Sequence, residues 1–236
     1  MRIFFCAVLL VFLFSGISFC QTKLPKGYAA LNLGISFPLN DFAGADSMNE
    51  KSGFAETGFR LSMPFAYLLN DNFGIGGILF TQKNQLDLDK VKTQLQLPPN
   101  AELYAIPWSA EGLLAGLYFS FPLDTATGIF LDTKIMGGIA SAQIPVFFIN
   151  AVYYSRGYYS SYYAISKSAS VFAFGYSFDV SIRYNLSEKL SFLFGGNYFS
   201  SAPEFKDVPQ YGTTKNTYAQ PITTFNIDVG IAYLLK

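Results

Sequence analysis

The chain has 236 residues with 16 basic and 16 acidic side chains, no histidine, and 18% aromatic against 14% charged residues. That balance excludes the basic excess of a nucleic-acid binder and the acidic tract of a disordered tail. The absence of histidine removes the commonest general base and most zinc chemistry.

The chain opens MRIFFCAVLLVFLFSGISFCQTK, with one Arg, an apolar run from Ile3 to Phe14, and then Ser15, Gly16 and Ser18. This is the pattern of a secretory signal peptide, too short and too poorly flanked for a spanning helix. Small residues at Ser18 and Cys20 place cleavage after Cys20, so that 1–20 is signal peptide and 21–236 the mature domain beginning at Gln21. The alternative is a lipid-modified Cys20, but the bulky Phe19 stands where such signals carry a small residue. Both cysteines lie in 1–20, so cleavage leaves no disulfide or thiolate ligand. No later apolar run is long enough for a spanning helix. An exported, apolar chain of this kind is either a secreted β protein or an outer-membrane barrel.

Apolar residues then recur with period two, the mark of a strand with two distinct faces. The spacing predicts eight strands. The first, 28–37, sets Leu31, Leu33, Ile35 and Phe37 against Ala30, Asn32, Gly34 and Ser36. The second, 54–68, sets Phe59, Leu61, Met63 and Phe65 against Gly58, Arg60 and Ser62. The third, 73–83, is glycine-rich and of ambiguous facing. The fourth, 109–121, sets Leu113, Ala115, Leu117, Phe119 and Phe121 against Gly112, Gly116, Tyr118 and Ser120. The fifth runs 128–139. The sixth, FAFGYSFDVSIRY (172–184), alternates Phe, Tyr, Val and Ile with Ala, Gly, Ser, Asp and Arg. The seventh runs 190–200 and the eighth 222–235, where Phe225, Ile227, Val229, Ile231 and Tyr233 oppose Asn226, Asp228, Gly230 and Ala232.

Connections after the second, fourth and sixth strands are tight turns (LNDN, PLDTATG, NLSEK), while those after the other strands are long: 38–53, 84–108, 140–170 and 200–221. This alternation gathers the long loops at one end, as in an up-and-down outer-membrane barrel with short periplasmic turns. The competing fold, a secreted soluble lipocalin-like barrel binding an apolar ligand, has apolar residues inside. The small and polar set of 172–184 suits the narrow interior of an eight-stranded barrel, and the bulky set suits lipid. The fold class expected is therefore all-β: an eight-stranded antiparallel up-and-down transmembrane β-barrel.

Three segments carry a resemblance: LNLGISFPLNDFA (31–43), GFAETGFRLSMPF (53–65) and the closing FNIDVGIAYLLK (225–236). With them the mature chain resembles the small outer-membrane β-barrel proteins of the eight-stranded OmpA/OmpX type, without a periplasmic domain. The resemblance implies residence in the outer membrane of a Gram-negative bacterium, outer-membrane lipid and the insertion machinery as partners, and a monomer. Such barrels usually end on an aromatic residue, whereas this chain ends Tyr233, Leu234, Leu235, Lys236.

Histidine-dependent lipase or protease sites cannot be built, and a serine without a neighbouring base is unactivated. Glu56, Asp132, Asp179 and Asp228 are available to one lumen, but a structural ion-pair network accounts for them better than carboxylate catalysis. Three pairs are expected: Lys134 with Asp179, Asp132 with Arg183, and Arg60 with Asp228. They would neutralise a plugged lumen in which an unpaired charge is costly. No catalytic, cofactor or metal site is expected, and the alternative to a plug is a small channel for ions or solutes. Tyr28, Tyr67, Phe121, Tyr184 and Tyr233 near the turns, and Phe37, Phe80, Trp108, Phe172 and Phe225 near the loops, suggest two interfacial girdles. In the third long loop Tyr153, Tyr154, Arg156, Tyr158, Tyr159, Tyr162 and Tyr163 offer a surface for an extracellular protein or glycan, or else extend the strands beyond the bilayer. In the second, Leu88, Val91, Leu95 and Leu97 suggest a short amphipathic helix, ended by Pro98 and Pro99, over the barrel mouth.

Overall fold

A computed structural model describes residues 25–46, 49, 51–124, 126–155, 158–165, 168–206 and 217–235. The expected signal peptide, 1–20, and the lipidation alternative at Cys20 lie outside the described residues. Eight strands close into one antiparallel barrel: β1 (Gly27–Pro38), β2 (Ala55–Leu68), β3 (Phe73–Leu86), β5 (Trp108–Asp124), β6 (Ile129–Gln143), β9 (Ser170–Asn185), β10 (Leu190–Ser201) and β13 (Ile222–Leu235). Each expected strand is present, and each pairs with its neighbour in chain order, with β1 against β13 at the seam. A walk through cross-strand partners from Tyr28, by Ala66, Gly76, Gly116, Met136, Ser177, Phe199 and Thr224, returns to β1 at Pro38, ten residues further along (38 − 28). That stagger tilts the strands by roughly 40° and draws the wall narrow.

The wall is apolar outside and polar inside. Leu31, Leu33, Ile35, Phe59, Met63, Ile75, Leu79, Leu113, Ile135 and Phe194 are each about half exposed, and Phe174 is 69% exposed. On β13 the outward residues Phe225, Ile227, Val229, Ile231, Tyr233 and Leu235 are all exposed. At about 3.3 Å per residue and this tilt, they cover about 25 Å of height, the thickness of the apolar band of a transmembrane barrel. The soluble alternative needs the reverse polarity and is excluded. Closure also pairs every barrel strand on both edges, as a backbone in hydrocarbon requires.

Glycines shape both faces. Outward Gly77 lies under the ring of Phe65, its direct cross-strand partner, and outward Gly196 lies under Phe225. Inward Gly34 faces Asp228 and inward Gly230 faces Asn32, so each polar side chain rests in the notch of the opposite strand. The glycine-rich β3 takes one definite facing: Ile75 and Leu79 point out, and Ile78, Phe80, Gln82 and Asn84 point in.

The girdle expectation needs correction at three residues. Tyr67, Phe121, Tyr233, Phe172 and Phe225 are exposed, but Tyr28, Phe80 and Trp108 are buried. Tyr28 has the parity of inward Ala30, and Phe80 stands opposite Gly112, which leaves room for its ring. Glu56 is exposed rather than luminal, because the β2–β3 register shifts between Ala55 and Gly58.

The long loops form a cap. Pro38 ends β1, and Asn40, with φ of 53°, turns the chain into a one-turn helix α1 (Asn40–Ala43) that buries Phe42. The second loop holds helix α2 (Leu88–Gln94), with Val91 buried and Leu88, Leu95 and Leu97 packed beside it. Strand β4 (Glu102–Ile106) then pairs with β7 (Val146–Ser155), and β7 with β8 (Tyr158–Ile165). Ser109 pairs with Gln143 and Ile106 with Val146, so this ladder continues that of β5–β6 in unchanged register past Pro107 and Pro145. The last loop adds the short pair β11 (Glu204–Lys206) and β12 (Thr217–Ala219). Among the described residues no helix is long and apolar enough to cross a membrane.

Candidate functional site

All six ionisable residues expected in the lumen (Arg60, Asp132, Lys134, Asp179, Arg183 and Asp228) project inward and are buried. Strand parity puts them there, and the register sets their heights. Nearest the turns, Arg183 Nε donates to Asp132 Oδ2 at 2.8 Å in a fully buried ion pair. The Tyr118 hydroxyl donates to Asp132 Oδ1 at 2.9 Å and the Ser120 hydroxyl at 2.6 Å. Arg183 Nη1 donates to Asn185 Oδ1 at 3.2 Å, and the same oxygen accepts from Ser191. The guanidinium also lies 4.3 Å from the centre of the Phe130 ring. Three polar side chains, Tyr118, Ser120 and Asn185, and the Phe130 ring therefore hold two opposite charges in the narrow base of the barrel, the satisfied form in which a buried pair is tolerated.

The other two expected pairs do not close. Lys134 and Asp179 are direct cross-strand partners, but no ion pair forms between them among the described residues. Lys134 Nζ lies instead 5.3 Å from the Tyr28 ring centre and 5.9 Å from that of Tyr118, whose faces attract a cation. Asp179 accepts from Asn197 Nδ2. Arg60 and Asp228 both flank Gly34, from opposite sides, without touching. Arg60 donates to Gln82 Oε1 at 3.3 Å and stacks over Phe80 at 4.4 Å, while its Nε and Nη2 have no hydrogen-bond partner, nor does Asp228 Oδ1. For Arg60 and Asp228 the reason is spacing, since β1 lies between their strands; Lys134 instead faces the Tyr28 and Tyr118 rings, and Asp179 the Asn197 amide.

A ladder of neutral polar groups runs above. Ser36 and Gln82 donate to Asn84 Oδ1, Gln82 meets Thr224, and Asn226 donates to Asn197 Oδ1 at 3.0 Å. Between ladder and base lies a cavity of about 20 Å³ bordered by Asn32, Lys134, Asp179 and Asp228. That volume holds about one water. At mid-height Phe80 and Phe199 meet edge to face, 4.9 Å between ring centres, beside the buried Leu114.

Apolar packing gathers at the loop end. Phe42, Val91, Leu103, Trp108, Ile149, Phe205 and Ile222 belong to one buried cluster with the upper wall residues Ala110, Ala140 and Ala142. The Trp108 indole donates to the Gly53 carbonyl at 2.8 Å and meets the Phe42 ring edge-on.

The proposed loop surface is placed only in part. The backbone register sets Tyr154 opposite Tyr159, Tyr153 opposite Ser160, Tyr162 opposite Ala151 and Tyr163 opposite Asn150. The side chains of Tyr153, Tyr154, Tyr158, Tyr159, Tyr162 and Tyr163, and all of Arg156, lie outside the described residues. The same register makes β7 a strand extension beyond the barrel.

Sequence reasoning missed the neutral members of the lumen: Tyr118, Ser120 and Asn185 around the ion pair, and the Asn and Gln ladder. Their inward parity was legible, but their contacts cross the barrel and depend on the stagger. Among the described residues no three His, Cys, Asp or Glu side chains gather as metal ligands.

The fold and its inside-out polarity define a small transmembrane β-barrel of the eight-stranded outer-membrane type. No family model and no curated protein sequence matches the chain. Among solved structures it is similar to Ail, the attachment invasion locus protein of Yersinia pestis, at 10% identity and TM-score 0.46, over 90% of this chain and 100% of that one. It is also similar to Neisserial surface protein A (9%, TM-score 0.44, 88% and 96%) and to a major outer membrane protein from Thermus thermophilus (12%, TM-score 0.47, 89% and 99%). At such identities no function transfers.

Proposed function

We propose that the chain is a non-enzymatic outer-membrane protein of a Gram-negative bacterium, whose lumen is plugged and whose external loops bind an extracellular protein or glycan. The signal peptide 1–20 is removed, the insertion machinery delivers the mature chain, and it stands in outer-membrane lipid as a monomer. One observation carries the reading: buried side chains pack across the barrel near both of its ends, by different means. Near the turns Asp132 and Arg183 with their partners fill the base, and near the loops the Trp108 cluster lies over the mouth. Between them the cavity beside Lys134, Asp179 and Asp228 has about 20 Å³, room for about one water. With the interior filled, the cap is the part of the molecule left to meet a partner.

Two measurements test this. Membrane fractionation with heat-modifiable gel mobility should place the folded chain in the membrane as a detergent-resistant barrel. In planar bilayers the purified protein should show no steady conductance. If Arg60→Ala or Asp228→Ala left thermal stability unchanged while raising conductance, the small channel for ions or solutes would be the correct reading. The unpaired Arg60 Nε and Nη2 and Asp228 Oδ1 are what recommend these two positions.

A further inference from the structure

The sheet β4–β7–β8 buries one face and exposes the other. Leu103, Ile149 and Ala151 enter the cap core, and Ala105 and Phe147 pack against it. On the opposite face Tyr104 is 64% exposed, Ile106 and Val152 are exposed, and Phe148 is half-buried. Tyr104 and Phe148 are direct cross-strand partners, so their rings share one side of the sheet. The next pair along is Glu102 with Asn150, joined by a hydrogen bond from Asn150 Nδ2 to Glu102 Oε2 at 3.4 Å. An aromatic pair thus adjoins an amide–carboxylate pair on one face of the sheet.

We propose that this face is a binding platform for a neutral oligosaccharide. The inference rests on the reading of the external loops as a binding surface and gives it a ligand class and residues. Sugar rings present apolar C–H faces and equatorial hydroxyls, and the platform supplies both complements. Tyr104 and Phe148 offer ring area at little entropic cost, and Glu102 and Asn150 offer an acceptor and a mixed donor–acceptor.

Size favours this occupant over a protein. The five paired residues of β4 and β7 span about 17 Å by about 10 Å, on the order of 200 Å². A stable protein interface needs about 800 Å² from each partner. Two or three sugar rings cover the smaller area. Charge favours a neutral glycan over an acidic one, because Glu102 is the only charged residue among the described residues of this face and would repel sulfate or carboxylate.

The platform draws on two loops. Tyr104 and Glu102 come from the second and Phe148 and Asn150 from the third, joined because the barrel ladder resumes beyond Pro107 and Pro145. None of these four residues is among the third-loop residues, Tyr153 to Tyr163, that the sequence singled out.

The test is an NMR titration of the full mature chain in lipid nanodiscs with cellohexaose, and with a heparin hexasaccharide as the acidic comparison. Cellohexaose should shift the amides of 102–106 and 147–152 with millimolar affinity. Tyr104→Ala should weaken binding at least tenfold while barrel amides stay in place, since the side chain is exposed. Tyr104→Phe should keep most of the affinity. Tighter binding of the heparin fragment would overturn the charge argument and with it the proposal. Shifts confined to the tip 153–160, insensitive to Tyr104→Ala, would overturn the platform but leave a loop-binding protein. No shift with cellohexaose would overturn it as well, and the conductance test decides independently whether the plugged-barrel reading survives.

Discussion

Replacing Asp132 by Leu tests whether the base of the barrel is held by a satisfied ion pair. Asp132 accepts from Arg183 Nε, the Tyr118 hydroxyl and the Ser120 hydroxyl, all buried. Its loss leaves the Arg183 guanidinium buried with only neutral acceptors on Asn185 and Ser120, and removing one partner of such a pair costs about 3–5 kcal/mol. Arg183→Leu should cost a similar amount by stranding the carboxylate. The double substitution removes both charges and keeps apolar volume, so it should cost only about 1–2 kcal/mol, mostly from the Tyr118 hydroxyl left without an acceptor. The coupling between the two sites is then about 4 kcal/mol or more. Urea unfolding from lipid vesicles, followed by the single tryptophan, Trp108, measures all three variants. A loss below about 1 kcal/mol for Asp132→Leu, or a double variant that loses the sum of the singles, would refute the argument.

Gly34→Ala should cost about 2 kcal/mol or more, because a Cβ there meets the Ile227 carbonyl at 2.7 Å and the Asp228 carboxyl, while Gly196→Ala, which meets only the Phe225 ring edge at 3.0 Å, should cost under about 1 kcal/mol. The same urea titrations compare them. Trp108→Phe removes the hydrogen bond to Gly53 and leaves a gap beside Phe42. It should lower stability by about 1–3 kcal/mol and the temperature at which gel mobility changes. Asp87 caps α2, so Asp87→Ala should weaken that turn by about 1 kcal/mol, read by hydrogen exchange over 88–94. Burial tends to raise the Asp87 pKa, but hydrogen bonds from the Lys90 ammonium and amide outweigh it and hold the carboxyl below its usual range. The stabilisation is therefore fully present above the unfolded value of about 3.9 and lost as pH falls through the lower folded value. The protection of α2 amides, taken relative to the intrinsic exchange rate at each pH, should fall in acid in the wild type and stay flat in Asp87→Ala.

Strand count, strand order and the lipid face were legible because each depends on a local period of two and on turn length. In β13 the alternation from Phe225 to Leu235 states which side meets lipid without reference to any other strand. Tyr28 was misplaced by its position near a turn, although the parity of Ala30 already assigned it inward. Glu56 could not be placed, because a register shift between Ala55 and Gly58 leaves no mark in the pattern. The helix α2 was readable from its apolar spacing and the two prolines after it.

By itself the sequence determined a histidine-free chain of eight strands with apolar residues on one face and six compensating charges on the other. Which charges meet was decided only by the closed barrel. A ten-residue stagger around eight strands sets the height of every inward side chain, and a difference of one strand width separates the bonded Asp132–Arg183 from the unbonded Arg60 and Asp228. The cap was decided there too: Tyr104 and Phe148 are 44 residues apart (148 − 104) and share a platform because the β5–β6 ladder continues past two prolines. Local periodicity fixes a face, whereas contact depends on register, and register is a property of the closed sheet.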